Sequence, residues 1–289
     1  MTNTIDLEIW AEEAEQPEQQ EFRKAVKSIL EGISQDVILA NMMVMKGGLL
    51  LAIKYQSPRY TKDIDFSTNK TLGEIDIESF LQSFEEGLAV ADQNEYGLAF
   101  KIQKYEIKPA PKTNPSFPSL QLRIGYANKA QKSLYNRLLQ KQSPKIVLID
   151  FSFNEWINDA DSDVASLSGS GELRHYSLHE IVAEKIRSLL QQPIRDRARY
   201  QDVYDLHLLL SSHDSLENLE EKTLVLTYLK DACAAREVPV DSTSFSNPEI
   251  KERARQGYEN ELRDQLKEDP PEFEDAFTTV NNYYSALPW

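Results

Sequence analysis

The sequence predicts an α+β fold in which a small mixed sheet is followed by a helical domain. Apolar residues recur at three- and four-residue intervals over residues 18–45, which indicates amphipathic helix. Alternating and continuous apolar stretches then indicate strands, and helical periodicity returns after a Gly/Ser-rich segment. We expect N-terminal helices packing on the core, an α/β core and a helical domain, over residues 1–43, 44–165 and 172–289.

The first elements follow in chain order. Gly32 lies inside the N-terminal helical pattern and predicts a break there. Residues 44–55 run from an apolar stretch through Gly47 and Gly48 into leucines, which predicts a strand, a tight turn and a helix. Residues 63–66 alternate polar and apolar side chains and predict a half-buried strand.

The rest of the core is predicted from the same two periods. A helix is expected over residues 75–90, where apolar residues have helical spacing. Three further strands are expected at residues 98–107, 119–125 and 145–153. The proline-rich residues 109–118 predict a loop between the first two of them.

In the helical domain, Ser177 and Glu180 have the spacing of a capping box. A helix is therefore expected from Ser177 to Pro193, since proline cannot continue a helix interior. A second helix is expected over about residues 197–210, where apolar residues again recur with helical spacing.

Composition indicates a folded protein of the cytoplasm. Apolar residues make up 40% and charged residues 27% of the chain, which is ordinary for globular proteins. No apolar run reaches the roughly 20 residues that a membrane span needs, and the acidic N-terminus does not resemble a secretory signal. The single cysteine, Cys233, agrees with a reducing compartment. We expect no membrane association.

Charge is unevenly distributed. The formal net charge of −15 by itself disfavours a nucleic-acid partner. However, residues 101–145 contain ten basic residues and one acid, so this segment carries +9 and the rest of the chain −24. Such asymmetry is typical of a segment that binds a polyanion. A solvated surface without a partner explains the pattern equally well.

Three aspartates form a candidate metal site. Asp63 and Asp65 are two residues apart on a predicted strand, so both side chains leave the same face of the sheet. Asp150 lies in a strand that is otherwise apolar, where an acid is costly unless it is paired or binds a metal. Carboxylate oxygens suit Mg²⁺, which usually also binds substrate phosphates. An isolated Asp-x-Asp is more often a solvated turn, so the prediction depends on the companion residues.

Two further features indicate phosphate binding. Gly47 and Gly48 permit the backbone to approach a phosphate, and the helix after them adds a favourable dipole. A plain tight turn is the alternative for these glycines. On the predicted helices of the C-terminal part, Lys185 is a suitable point charge for a triphosphate. Asp202 can either orient that lysine or assist deprotonation of an attacking hydroxyl.

These residues, taken together, resemble a known family. Gly47-Gly48, Arg59-Tyr-Thr-Lys-Asp63-Ile-Asp65 and Asp150 are similar to the nucleotidyltransferase fold of the polymerase-beta type. Glu184-Lys185-Ile-Arg and Arg199-Tyr-Gln-Asp202 resemble the AbiEii/AbiGii abortive-infection nucleotidyltransferase toxins. The resemblance spans roughly residues 40–210. One departure is Gly-Gly at the turn where the superfamily commonly has Gly-Ser, which leaves phosphate binding to backbone donors.

The resemblance implies a role for each matching residue. Asp63, Asp65 and Asp150 would bind magnesium, with Asp63 and Asp65 catalytic. The two glycines and Arg59 would contact the nucleotide. Lys185 and Asp202 would match the family's lysine and aspartate near the triphosphate, with Lys185 both binding and catalytic.

The resemblance also implies an activity and partners. A nucleotide would be transferred from a nucleoside triphosphate to an acceptor hydroxyl, with the 3′ end of transfer RNA as the expected acceptor. The chain would be the toxin of a toxin–antitoxin pair in antiviral defence, with a cognate antitoxin as partner. Three alternatives stay open, namely nucleotidylation of a protein, a catalytically inactive nucleotide-binding regulator, and a magnesium phosphohydrolase.

Overall fold

A computed structural model describes residues 4–109, 116–158, 163–167 and 171–289. The chain divides into two compact units. Unit 1 comprises the described residues of Met1–Lys54, Lys62–Ile157 and Ser162–His175. Unit 2 comprises those of Tyr55–Thr61, Asn158–Asp161 and Tyr176–Trp289. Most of the predicted proline-rich loop lies outside the described residues.

Unit 1 contains one mixed sheet. Its strands among the described residues are β1 (Thr4–Ile5), β2 (Val44–Lys46), β3 (Asp63–Ser67), β4 (Leu98–Lys108), β5 (Ser119–Asn128), β6 (Ile146–Ser152), β7 (Asp163–Leu167) and β8 (Gly171–His175). Their order in the sheet is β1-β7-β8-β2-β3-β6-β5-β4. The central pair β3 and β6 is parallel, whereas β2 with β3, β6 with β5, and β5 with β4 are antiparallel.

Six helices of unit 1 accompany the sheet, namely α1 (Leu7–Glu12), α2 (Pro17–Gln35), α3 (Val37–Met42), α4 (Gly47–Lys54), α5 (Ile77–Ala91) and α6 (Lys132–Leu139). One face of the sheet is the core face, where α5 packs on β4 and α2 on β6. In β6, Val147, Ile149 and Phe151 are fully buried, and the Phe151 ring stacks on Phe80 of α5 at 5.2 Å. The residues between them point to the opposite face.

Unit 2 is helical. Its helices are α7 (Leu178–Leu190), α8 (Gln192–Arg195), α9 (Tyr200–Ser212), α10 (Leu219–Ala235), α11 (Pro248–Arg255) and α12 (Phe273–Ser285). The predicted capping box is present, since the Ser177 hydroxyl accepts from the Glu180 N–H at 3.2 Å and the Glu180 carboxylate accepts from the Ser177 N–H at 2.7 Å. Within the described chain, no helix is long and apolar enough to cross a membrane.

The α+β fold with a mixed sheet and C-terminal helices is confirmed, but two local predictions were wrong. Helix α2 continues through Gly32 instead of breaking there. A Cβ on Gly32 would lie 2.3 Å from the carbonyl oxygen of Gly87 in α5, so the glycine serves close helix packing. Residues 172–175, expected to open the helical domain, belong to strand β8, because Leu173 and His175 alternate into the core with a strand period.

Candidate active site

The three predicted metal ligands lie on one face of the sheet in unit 1. In the parallel pairing of β3 and β6, Asp65 lies directly opposite Asp150. Neighbouring strands are about 4.7–4.9 Å apart, so these side chains leave the sheet side by side. Asp63 precedes Asp65 by two residues and shares its face. The face is the one opposite Phe151, so it is the side not covered by α5.

A residue that was not predicted from the sequence completes this group. Gln121 in β5 lies opposite Asp150, and its Nε2 donates to Asp150 Oδ2 at 2.8 Å. The hydrogen bond fixes the orientation of the Asp150 carboxylate and leaves its other oxygen available. A signal was present in the sequence, since Gln121 and Arg123 alternate with leucine and isoleucine in β5.

The glycine turn lies directly against Asp65. Gly47 opens α4 with a φ of +78°, a conformation that favours glycine. A Cβ at this position would lie 2.1 Å from Asp65 Oδ2. The absence of a side chain therefore allows the backbone to approach the carboxylate. Gly48 follows in the first turn of α4, where helical N–H groups have no intrahelical acceptor and can bind an anion.

Lys46 places a positive charge beside the same group. It lies opposite Asp65 in the antiparallel pairing of β2 and β3, and its Nζ is 3.6 Å from Glu155 Oε1. Both side chains of this ion pair are only 12% exposed. Neither residue is predicted from the sequence to have a role in the site.

The electrostatics of the face fit a divalent cation. Burial and then the charge of Asp150 raise the pKa of Asp63, while Lys62 opposes this shift. Carboxylates that disfavour each other's ionisation in this way are stabilised in the charged form by a bound cation. Among the described residues, no group of three or more His, Cys, Asp or Glu forms a ready metal cage. The donor set suits Mg²⁺, which needs one or two carboxylates together with water and substrate phosphates.

The other predicted residues lie together in unit 2. Lys185 Nζ donates to Asp202 Oδ1 at 2.8 Å and to Asp205 Oδ2 at 2.7 Å. The Arg59 guanidinium binds both oxygens of Asp205, at 3.0 Å and 2.9 Å. Asp205 is completely buried, and Lys185, Arg59 and Asp202 are 5%, 8% and 8% exposed. We call these four residues the ion cluster.

Two members of the ion cluster, Asp205 and Lys185, have shifted pKa values. Burial would raise the pKa of Asp205, but Lys185 and Arg59 hold it below its ordinary value. Burial likewise opposes the charge of Lys185, yet Asp202 and Asp205 raise its pKa above the ordinary range. Asp202 is the most accessible carboxylate of the cluster, with Arg199 Nη1 at 4.0 Å.

Comparison with solved structures shows the fold. The chain is similar to the crystal structure of JHP933 from Helicobacter pylori, with 15% identity and a TM-score of 0.54 over 95% of this chain and 93% of that chain. A candidate nucleotidyltransferase from H. pylori matches with 16% identity and a TM-score of 0.51 over 92% and 93%. No curated protein matches the sequence.

Comparison with protein families is more specific. Residues 28–279 match the family described as nucleotidyl transferase AbiEii toxin, type IV toxin–antitoxin system. The match includes Gly47, the three aspartates of the sheet and the whole ion cluster. The chain therefore belongs to the AbiEii family of nucleotidyltransferase toxins.

Proposed function

We propose that this toxin is a magnesium-dependent enzyme that transfers a nucleotide from a nucleoside triphosphate to a hydroxyl of RNA, with the 3′ end of transfer RNA as the acceptor. The observation that carries the proposal is the pairing of Asp65 with Asp150, with Gly47 against the Asp65 carboxylate. Two acids and a glycine turn are the parts that a metal-bound triphosphate needs.

In the reaction, the acceptor hydroxyl gives its proton to water and its oxygen bonds to the α-phosphorus, while the bond between the α-phosphorus and the oxygen that bridges to the β-phosphate breaks and pyrophosphate leaves. Magnesium bound by Asp63, Asp65 and Asp150 would supply charge stabilisation to the phosphates. Gln121 holds the Asp150 carboxylate in one orientation. The N–H groups of Gly47 and Gly48 would bind phosphate oxygens, which replaces the hydroxyl contact of the commoner Gly-Ser turn.

The ion cluster would contribute to triphosphate binding. Asp202 and Asp205 use two donors of the Lys185 ammonium, which has three. The third would bind a phosphate oxygen. Arg59 is held by both oxygens of Asp205, so its part in nucleotide binding would be to position that carboxylate and, through it, Lys185. Asp202, which is more exposed than Asp205, would orient the Lys185 ammonium.

The test is incubation with each labelled nucleoside triphosphate, magnesium and total RNA. We expect label in RNA, release of pyrophosphate, and no transfer when magnesium is chelated. Asp65→Asn should abolish transfer. It should leave the thermal unfolding midpoint nearly unchanged, because asparagine has nearly the same size as aspartate and the side chain is only half-buried. Asp231→Asn, the same change at an exposed position of α10, should retain full transfer.

The same incubation separates the alternatives. Label found on protein and absent from RNA would indicate a protein acceptor. Release of inorganic phosphate without transfer would indicate a phosphohydrolase. Absence of both with every triphosphate would indicate a binding protein without catalysis. Addition of a cognate antitoxin, the partner that the family description implies, tests whether the activity is the one that the pair controls.

A further inference from the structure

The basic segment, residues 101–145, contributes to the same sheet face as the carboxylates. In the pairing of β5 with β6, Gln121 lies opposite Asp150 and Arg123 lies opposite Leu148. Because side chains alternate along a strand, Arg123 leaves the face on which Asp150 lies. Arg123 and Asp150 are one strand and two residues apart, so the Cα of Arg123 lies within about 10 Å of the Cα of Asp150.

A β-bulge brings the lysines of β4 onto this face. Lys101 lies opposite Gly125, and the register shifts between Ile102 and Lys104 so that Lys104 lies opposite Arg123. Without the extra residue, alternation from Lys101 would send Lys104 to the core face. Bulges of this kind re-aim side chains, often next to active sites. Lys108 follows Lys104 by four residues and shares its face.

Helix α6 extends the positive charge beyond the strands. Ala127 of β5 lies on the same face as Arg123, four residues further along. It is buried together with Leu138 of α6 and Ala99 of β4, so α6 covers the far end of this face. The helix exposes Lys132 and Arg137. We call Lys101, Lys104, Lys108, Arg123, Lys132 and Arg137 the basic strip.

The basic strip has more positive charge than its own acids neutralise. Glu106 forms ion pairs with it, at 2.8 Å from Lys104 Nζ and 3.0 Å from Lys108 Nζ, and Asp92 interacts electrostatically with Lys101. Arg123 is exposed, and no carboxylate of the described chain pairs with it. Like charges directly opposite each other on neighbouring strands, as Lys104 and Arg123 are, destabilise a sheet. A bound polyanion would relieve that repulsion.

We propose that the basic strip binds the phosphate backbone of a single RNA strand and leads its 3′ end across Gln121 to the carboxylates. The proposal rests on the proposed function for the identity of the acceptor. A strand lying along β5 from the α6 end would pass Lys101 and then Lys104 and Arg123 before it reaches the level of Gln121. Asp150 lies beside Gln121 on β6. This order places the phosphates on positive charge and the terminal hydroxyl at the metal ligands.

The test measures binding of a fluorescently labelled single-stranded RNA over a series of salt concentrations. The affinity constant K falls as salt rises, and each lost phosphate contact on a single strand makes the slope of log K against log salt less negative by about 0.7. The double variant Lys104→Gln/Arg123→Gln should therefore bind more weakly, with a slope that is less negative by about 1.4. Lys230→Gln, at an exposed position of α10, should bind as the unaltered protein does.

Nucleotide transfer to RNA is measured on the same proteins. Weaker RNA binding with a raised KM for RNA and an unchanged affinity for the triphosphate supports the basic strip. An unchanged affinity and slope in the double variant overturns it, whether or not transfer occurs. So does absence of RNA binding by the unaltered protein. If the unaltered protein binds RNA through these residues but transfers nothing to it, the proposed function fails and the strip stands.

Discussion

At the scale of single residues, Gly47 links the backbone of the turn to the carboxylate of Asp65. We predict that Gly47→Ala strongly impairs nucleotide transfer. Alanine at a φ of +78° costs about 1–2 kcal/mol, and its Cβ would displace the Asp65 carboxylate that it meets at 2.1 Å. Transfer assays and urea unfolding measure both effects.

Gly73→Ala provides the matched control for this change. No atom lies within 4 Å of a Cβ built on Gly73, so neither activity nor stability should fall. Full activity in Gly47→Ala would show that Asp65 does not need the close approach of the turn.

The two aspartates of the ion cluster should differ in role, since Asp205 stabilises the fold whereas Asp202 is proposed to act in nucleotide transfer. We predict that Asp205→Asn lowers the free energy of unfolding by about 3–5 kcal/mol, because removing one partner of a buried ion pair leaves the others uncompensated. Asp205 has two cationic partners and no exposure. Asp202→Asn should lower the free energy of unfolding by less. Its loss of nucleotide transfer should be larger than the loss of stability explains. Urea unfolding and transfer assays on both variants measure this difference.

The pH dependence of the Asp205 effect follows from its pKa. Because the pKa of Asp205 is held below the ordinary 3.8, its contribution to stability is present above that value. It is lost as the pH falls through the depressed folded-state pKa. The stability difference between the unaltered protein and Asp205→Asn should therefore be constant near neutrality and shrink in strong acid. A difference that grew on acidification would contradict the assignment.

At the scale of elements, sequence periodicity predicted most of the fold. Long amphipathic helices such as α5 and α9, and the strands carrying Asp65 and Asp150, lie where their apolar spacing indicates. Strands β1, β7 and β8 were missed. Two residues are too few for β1 to show a period, and β7 and β8 flank the Gly/Ser-rich segment, which favours a loop.

Other features of the site are long-range and have no local signal. The hydrogen bond from Gln121 to Asp150 depends on the pairing of β5 with β6. The bond from Arg59 to Asp205 joins residues 146 positions apart. Similarly, the bulge that turns Lys104 is defined only by its partner strand. Sequence could supply the residue types at these positions but not their partners.

The crossing of α2 and α5 yields a prediction about two glycines. We expect Gly32→Ala to lower the free energy of unfolding by about 1–3 kcal/mol, because its Cβ overpacks the contact. The clash is with backbone, at 2.3 Å from the Gly87 carbonyl oxygen. The better helix propensity of alanine offsets about 1 kcal/mol at most.

Gly87→Ala tests the same crossing from the other helix. Its Cβ would lie 3.1 Å from the Gly32 carbonyl oxygen, so a small shift accommodates it. We expect the smaller loss, and urea unfolding of both variants measures the difference. Equal stability of the two variants would show that the helices separate freely at this point.

At the scale of the whole molecule, charge decides which surface an RNA can meet. The chain carries −15 in total, yet residues 101–145 carry +9. Repulsion between the remaining acids and the RNA phosphates disfavours binding elsewhere on the surface, so weak nonspecific binding should be confined to the basic strip. For the RNA proposed as acceptor, the uneven charge therefore favours a defined orientation over general affinity.

Binding of a nucleoside triphosphate should also stabilise the whole fold. Comparing this stabilisation between triphosphates identifies the preferred nucleotide without an acceptor. A triphosphate that binds the folded state raises the free energy of unfolding by RT ln(1 + [L]/Kd), or about 2.7 kcal/mol at a hundredfold excess over Kd. We predict that one nucleoside triphosphate raises the thermal midpoint most, and that it does so only with magnesium. Asp65→Asn should lose this increase, because the metal links the phosphates to the carboxylates, while Asp231→Asn should keep it. An equal increase in the presence of a chelator would mean that the triphosphate binds without the metal, and that the carboxylates of β3 and β6 serve another purpose.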